Sequence, residues 1–189
     1  MSYKWCNDAK LDILHASGQD SKLIFKSDKD TAEVFIEGND ISKVIYTNAE
    51  KVFTIQNSEA KQVTVGEGNT LRDVYHYLKP GGPAPEMRLG ITKHRSTGTW
   101  SSLPHGFEKN LERDFEEVFF YLIEGEKSRA VQVGEGVWYD GSEVSTSWFV
   151  QDHSFSTIPM GYHPIVGEPG VKVHYIWVYL CKKKEWEKI

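Results

Sequence analysis

The chain has 189 residues, enough for one well-cored domain or a domain with an extension, and a formal net charge of −5 at pH 7 that argues against nucleic-acid binding. Its longest basic run, Lys182-Lys183-Lys184, reads as a solvated tail, and no apolar stretch approaches the ~20 residues of a membrane helix. Trp, Tyr and Phe number 6, 9 and 9, which suits a β-rich core or a stacking pocket.

The opening residues, MSYKWCNDAK, hold no apolar segment of the secretory kind. Cys6 and Cys181 sit near opposite ends without a Cys-x-x-Cys pair, so two reduced thiols in a cytoplasmic protein are expected. Strands are predicted at Ala32–Gly38, Ser42–Thr47, Lys51–Gln56 and Lys61–Gly66, separated by the turn clusters EGND and QNSEA. A short helix is predicted next. Asn69 or Thr70 would cap it, Leu71, Val74, Tyr75 and Leu78 would share one face, and Lys79-Pro80-Gly81-Gly82 would end it. The Pro/Gly cluster through Pro85 is the natural boundary, dividing residues 1–85 from residues 86–189.

The second half resumes strands in MRLGITKHRS, in Glu116–Glu126, and in RAVQVGEGVWYDG as a strand, a turn and a short strand. The segment from Val144 to Gly170 contains short strands and a PMGYHP corner, and Val171–Cys181 is a long final strand. Many short strands with Gly/Pro turns predict an all-β sandwich or barrel.

Chemistry concentrates at His105, Glu117 and His163. Two histidines and a carboxylate suit a divalent first-row metal with positions left open for water or substrate. They are far apart in sequence, but a rolled sheet brings such residues to one mouth. Glu116 is read as the outward neighbour of Glu117, since successive strand residues face opposite ways. A histidine in a turn is as a rule structural, so spacing alone gives this set little weight.

The motifs around these residues add to it. TGTWSSLPHGFEKN, FEEVFFYLIEG, GVWYDG and IPMGYHPIVGEPGVKVHYIWVYL, in that order between Val65 and Cys181, resemble the C-terminal cupin of the 5-deoxy-glucuronate isomerase family, relatives of 5-keto-4-deoxyuronate isomerase. The segment NTLRDVYHYL resembles the link between that family's two cupins. The resemblance implies a double-stranded β-helix, or jelly-roll cupin, at residues 86–189. It also implies a partial or reduced N-terminal cupin half at residues 1–85, which includes the short linking helix.

The resemblance further implies a divalent metal, Zn, Mn or Fe, held by His105, Glu117 and His163. Phe107 stands where the family has a second histidine, and a benzyl group cannot ligate. Glu108 and Tyr162 are the implied proton carriers, and Gln132 and Tyr175 the implied substrate contacts. The implied activity is aldose–ketose isomerisation of a small sugar acid. Two alternatives stand beside it: a cupin that binds a sugar or acid without turnover, and another metal-dependent enzyme such as a dioxygenase. A homo-oligomer is expected, with Trp5, Trp177 and Trp186 covering exposed sheet edges, and no nucleic-acid or membrane partner.

Overall fold

The protein is described by a computed structural model covering residues 2–8, 10–101 and 115–180. His105, Phe107, Glu108, Cys181 and Trp186 lie outside these described residues. The strands within them are β1 (Lys4–Trp5), β2 (His15–Gln19), β3 (Lys22–Lys26), β4 (Asp30–Glu37), β5 (Asp40–Asn48), β6 (Val52–Gln56), β7 (Lys61–Val65), β8 (Arg72–Leu78), β9 (Met87–His94), β10 (Trp100–Ser101), β11 (Glu116–Glu124), β12 (Arg129–Val137), β13 (Glu143–Gln151), β14 (Ser154–Ile158), β15 (Met160–Tyr162), β16 (Ile165–Gly167) and β17 (Lys172–Leu180). The all-β expectation holds, and no helix among the described residues is long and apolar enough to cross a membrane.

Three sheets form three layers. The N-terminal sheet is a meander, β2-β3-β4-β5-β6, the central sheet runs β1-β14-β11-β17-β9-β8-β7, and the third runs β10-β16-β12-β13 with β15 beside β12. The central sheet is buried on both faces. On β11 and β17, Phe119, Tyr121, Tyr175 and Trp177 share one core with Ala130, Val150 and Ile165 of the third sheet, and this is the barrel interior. The alternate residues Val118, Phe120, Ile176 and Val178 pack instead against Leu23, Phe25 and Val34 of the N-terminal sheet. The two cores follow from strand alternation in a strand with apolar residues on both sides. Trp177 fits flat against β9 only because residue 90 is glycine, where a Cβ would lie 2.3 Å from its ring.

Three expectations are corrected. The linking helix is absent: Gly68–Thr70 is a single 3-10 turn and Arg72–Leu78 is strand β8, paired with both β7 and β9. Leu71, Val74, Tyr75 and Leu78 fit helical spacing, but β-branched and aromatic side chains at Val74, Tyr75 and Tyr77 favour a pleated surface, and two waiting strand partners decide it. Pro80-Gly81-Gly82 accordingly connects β8 to its antiparallel neighbour β9.

Trp177 does not cover an edge. It is buried in the barrel interior.

Glu116 does not face outward either; it is 2% exposed. Its carboxylate accepts the backbone N–H groups of Asp12 (3.0 Å), Ile13 (2.9 and 3.1 Å) and Leu14 (2.7 Å). Successive amides of this kind form an anion-binding nest, and here it fastens the segment leading into β2 onto the central sheet. A second tie lies at the other end of β11. There Asn39 donates to Glu124 (2.7 Å), Lys93 donates to Asp40 (2.6 Å), and His174 Nε2 meets Glu124 at 3.1 Å.

Glu116→Gln keeps the shape but turns a donor toward backbone donors, and is expected to cost about 2 kcal/mol or more in urea unfolding. Glu33→Gln, which removes only the partly exposed ion pair with Lys22, is expected to cost under about 1 kcal/mol. Equal losses would show that the nest is not what holds the N-terminal segment.

Candidate functional site

Glu117 follows Glu116 on β11 and therefore points into the barrel, opposite Tyr179 on one side and Ile158 on the other. His163 enters from a corner between β15 and β16. Pro164 holds its backbone away from the helical region, and Gly161, at φ 127, makes the bend. The two side chains meet in the interior, each 5% exposed or less, with His163 Nε2 3.7 Å from Glu117 Oε2. Phe119 stands edge-on to His163 at 5.7 Å and stacks on Tyr175 at 4.5 Å, which walls the pair on one side.

Glu117 is fully desolvated, and burial alone pushes its carboxyl well above the usual range. Its Oε2 makes no hydrogen bond among the described residues. A separation of 3.7 Å is long for a hydrogen bond. It is close to the ~3.4 Å between two ligands of one tetrahedral ion with bonds of ~2.1 Å. An imidazole and a carboxylate are also the right donors for zinc, manganese or iron. These two residues therefore fit a metal. Among the described residues no group of three or more His, Cys, Asp or Glu converges, so any third ligand, His105 included, lies outside them.

Gln132 is 0% exposed. Its Oε1 accepts the Tyr121 hydroxyl (2.9 Å), and its Nε2 donates to the carbonyls of His163 (2.7 Å), Pro164 (3.1 Å) and Val133 (3.0 Å). The amide is thus committed to the backbone of the His163 corner. Tyr175, 5% exposed, points its hydroxyl at Ser101 Oγ, 3.4 Å away. Tyr162 lies elsewhere: its hydroxyl accepts the indole N–H of Trp100 at 3.0 Å, on the exposed surface of the third sheet. The structure thus gathers Glu117, His163, Gln132 and Tyr175, and takes the Tyr162 hydroxyl away from them.

Sequence reasoning did not single out Tyr121 and Phe119, although both share the parity of Glu117 and so its face. Nor did it place Arg88. This residue is opposite Tyr179 on β9, in the same cross-strand row as Glu117. Arg88 is 2% exposed and donates to the carbonyls of Ala84, Pro85 and Met87. Lys93 is bound to Asp40 of the N-terminal sheet.

Comparison with known proteins decides the family. The model of the KduI/IolB family matches residues 8–189. The chain belongs to that family. It is 25% identical over 126 residues to a 5-deoxy-glucuronate isomerase of Halalkalibacterium halodurans, covering 65% of this chain and 46% of that protein. It is 23% identical to the same-named protein of Bacillus licheniformis, covering 65% of this chain and 45% of that one. The chain thus spans about half the length of the curated relatives it matches. Among solved structures, an IolB-like protein from Salmonella typhimurium LT2 superposes with a TM-score of 0.61 at 19% identity, over 88% of this chain and 64% of that one. The fold is that of a KduI/IolB-type cupin, as the motifs implied.

Two measurements follow from the side chains inside the barrel. Gln132→Met keeps the volume and loses the two bonds to the corner. It is expected to weaken Co(II) binding by about tenfold or more, with an altered visible spectrum, as positioning partners of metal ligands do; unchanged binding would remove Gln132 from that role.

The second concerns His94, 2% exposed, whose Nδ1–H donates to the Val173 carbonyl at 2.6 Å, while Nε2 is buried without a hydrogen bond among the described residues. Burial holds its pKa down at about 4, and that of His76 likewise. The unfolded chain takes up these protons below pH ~6.5 and the native protein only near their lowered values, so stability is lost as pH falls across that window. His94 alone is expected to contribute roughly 3 kcal/mol of this loss by pH 4. The slope of unfolding free energy against pH should be shallower in His94→Gln; an unchanged slope would contradict the assignment.

Proposed function

We propose that the protein is a sugar-acid isomerase of the aldose–ketose type, 5-deoxy-glucuronate isomerase-like, working with a divalent metal. The observation that carries this reading is the desolvated Glu117 carboxyl, 3.7 Å from His163 inside the barrel. Family membership over residues 8–189 and the names of the relatives support the isomerase class.

In this reading Glu117, as a carboxylate, and His163 would hold the ion together with His105. A bound divalent ion supplies a Lewis acid that polarises a carbonyl or hydroxyl of the sugar acid. Phe119 and Tyr175 present an apolar wall that keeps water from the reacting carbons. Isomerisation then requires one proton to leave a carbon beside the carbonyl and return to its neighbour through an enediol. The engagement of the Tyr162 hydroxyl with Trp100 at the outer surface favours Glu108 over Tyr162 as the proton carrier.

Protein purified without chelators is expected to carry about one equivalent of metal and to isomerise 5-deoxy-glucuronate. His163→Ala and Glu117→Gln should each lose the metal and about 10²-fold or more of the activity. A metal-free protein that binds the sugar acid without converting it would sink the isomerase reading and leave a binding cupin.

A further inference from the structure

Both outer sheets carry a cation over a ring: on the N-terminal sheet Lys43 lies 4.6 Å and Lys22 5.5 Å from the centre of the Phe35 ring, and on the third sheet the Arg129 guanidinium lies 5.1 Å from that of Phe149. What sets the third sheet apart is the apolar row that continues from Phe149. The third sheet turns Gln132, Ala130, Val150, Ile165 and Ser101 into the barrel, so their neighbours point out. Strand register then sets Trp100 beside Val166, Val166 beside Val131, and Val131 beside Phe149. An apolar row thus crosses every strand from β10 to β13. Trp100 is 42% exposed and Phe149 is 59% exposed.

Charge is distributed along the strands in a matching way. The outward residues of β12 run Arg129, Val131, Val133, Glu135. Lys127 and Arg129, both bridged to Glu168, mark one end of the face. Glu135 and the exposed Glu143 mark the other. Read backwards, cation–apolar–apolar–anion is its own complement.

The geometry points to a second copy of this chain as the occupant of this face, in a two-fold symmetric dimer. The two-fold axis lies within the interface, across the strands, between the Val131 and Val133 rows. The two sheets stack face to face at ~10 Å with their strands near-aligned, as packed sheets do. Val131 then lies over the partner's Val133, and Arg129 over the partner's Glu135. On β13 the protruding Phe149 meets the small Ser147 of the partner. Every such contact occurs twice, which is what an isologous interface requires. The apolar row supplies the affinity. The charges set the register and exclude the rotation that would stack Arg129 on Arg129. The inference rests on the outer face alone and is independent of metal in the barrel.

Sedimentation of the intact chain over a range of concentrations tests it. The wild-type protein is expected to form a reversible dimer, and Val131→Lys a monomer with unchanged far-UV circular dichroism. Phe149→Lys, at a more exposed position, serves the same purpose if Val131→Lys misfolds. Arg129→Glu and Glu135→Arg should each weaken the dimer by about tenfold or more, because each places like charges together twice. The double exchange should restore it. Glu168→Gln, which removes the intrachain carboxylate shared by Lys127 and Arg129, should not weaken it. A wild-type monomer throughout, a dimer that survives both lysine variants, or a double exchange no better than the single ones would each overturn the proposal.

Discussion

A strand buried on both faces has no water to serve its polar side chains, and β11 begins with two carboxyls side by side. The rest of the structure is arranged around how each is accommodated. Glu116 faces the N-terminal sheet, and three successive backbone amides close on it. Glu117 faces the barrel, where among the described residues no amide reaches its Oε2 and an imidazole stands near. A buried carboxyl with donors becomes an anchor, whereas one without donors keeps its proton or waits for a cation. One dipeptide thus fixes how the N-terminal segment docks and what the barrel interior can hold. Because the two residues share a strand, shifting the first displaces the second.

The same logic explains which parts were legible in the sequence. Alternation states that Glu116 and Glu117 point to opposite faces. It cannot state that both faces are interior, because that depends on a third layer contributed by residues 15–56. The strands at β4 to β7, β11 and β17 announced themselves through alternation and turn residues. β8 did not, since Leu71, Val74, Tyr75 and Leu78 satisfy helical and strand spacing alike and only the pairing with β7 and β9 separates the two. The Pro/Gly run after β8 has the composition of a linker, and a hairpin between sheet neighbours uses the same residues for the same reason, to turn the chain sharply.

Site residues were legible through motif and not through periodicity. His163 is conspicuous because Gly-Tyr-His-Pro is a corner, and corners present side chains that strands cannot. Gln132 was named through the resemblance, as a substrate contact, but its bond to the His163 corner was not legible. A buried glutamine can face a ligand or brace a turn, and the choice is made by the carbonyls of His163 and Pro164, some 30 residues downstream. Tyr162 illustrates the reverse. Adjacent to His163 in sequence, it is sent to the other surface by the same backbone alternation that aims His163 inward, and there it meets Trp100.

The two described members of the proposed metal site are held by different means, which bears on Phe107. Glu117 is fixed by a strand whose neighbouring residue is clamped from behind. His163 is fixed by a corner braced through Gln132 and, behind that, Tyr121. With a benzyl group where a second histidine would ligate, fewer donors remain to compensate for losing the hydration of the ion. Affinity must then come from donors that lose little freedom on binding, since ordering flexible side chains subtracts directly from the gain. A buried pair already near ligand spacing, each member backed by its own hydrogen-bonded support, meets that demand. In the proposed site, fewer protein ligands would also leave more of the coordination sphere to the substrate, and the proposed sugar acid carries oxygens able to fill it.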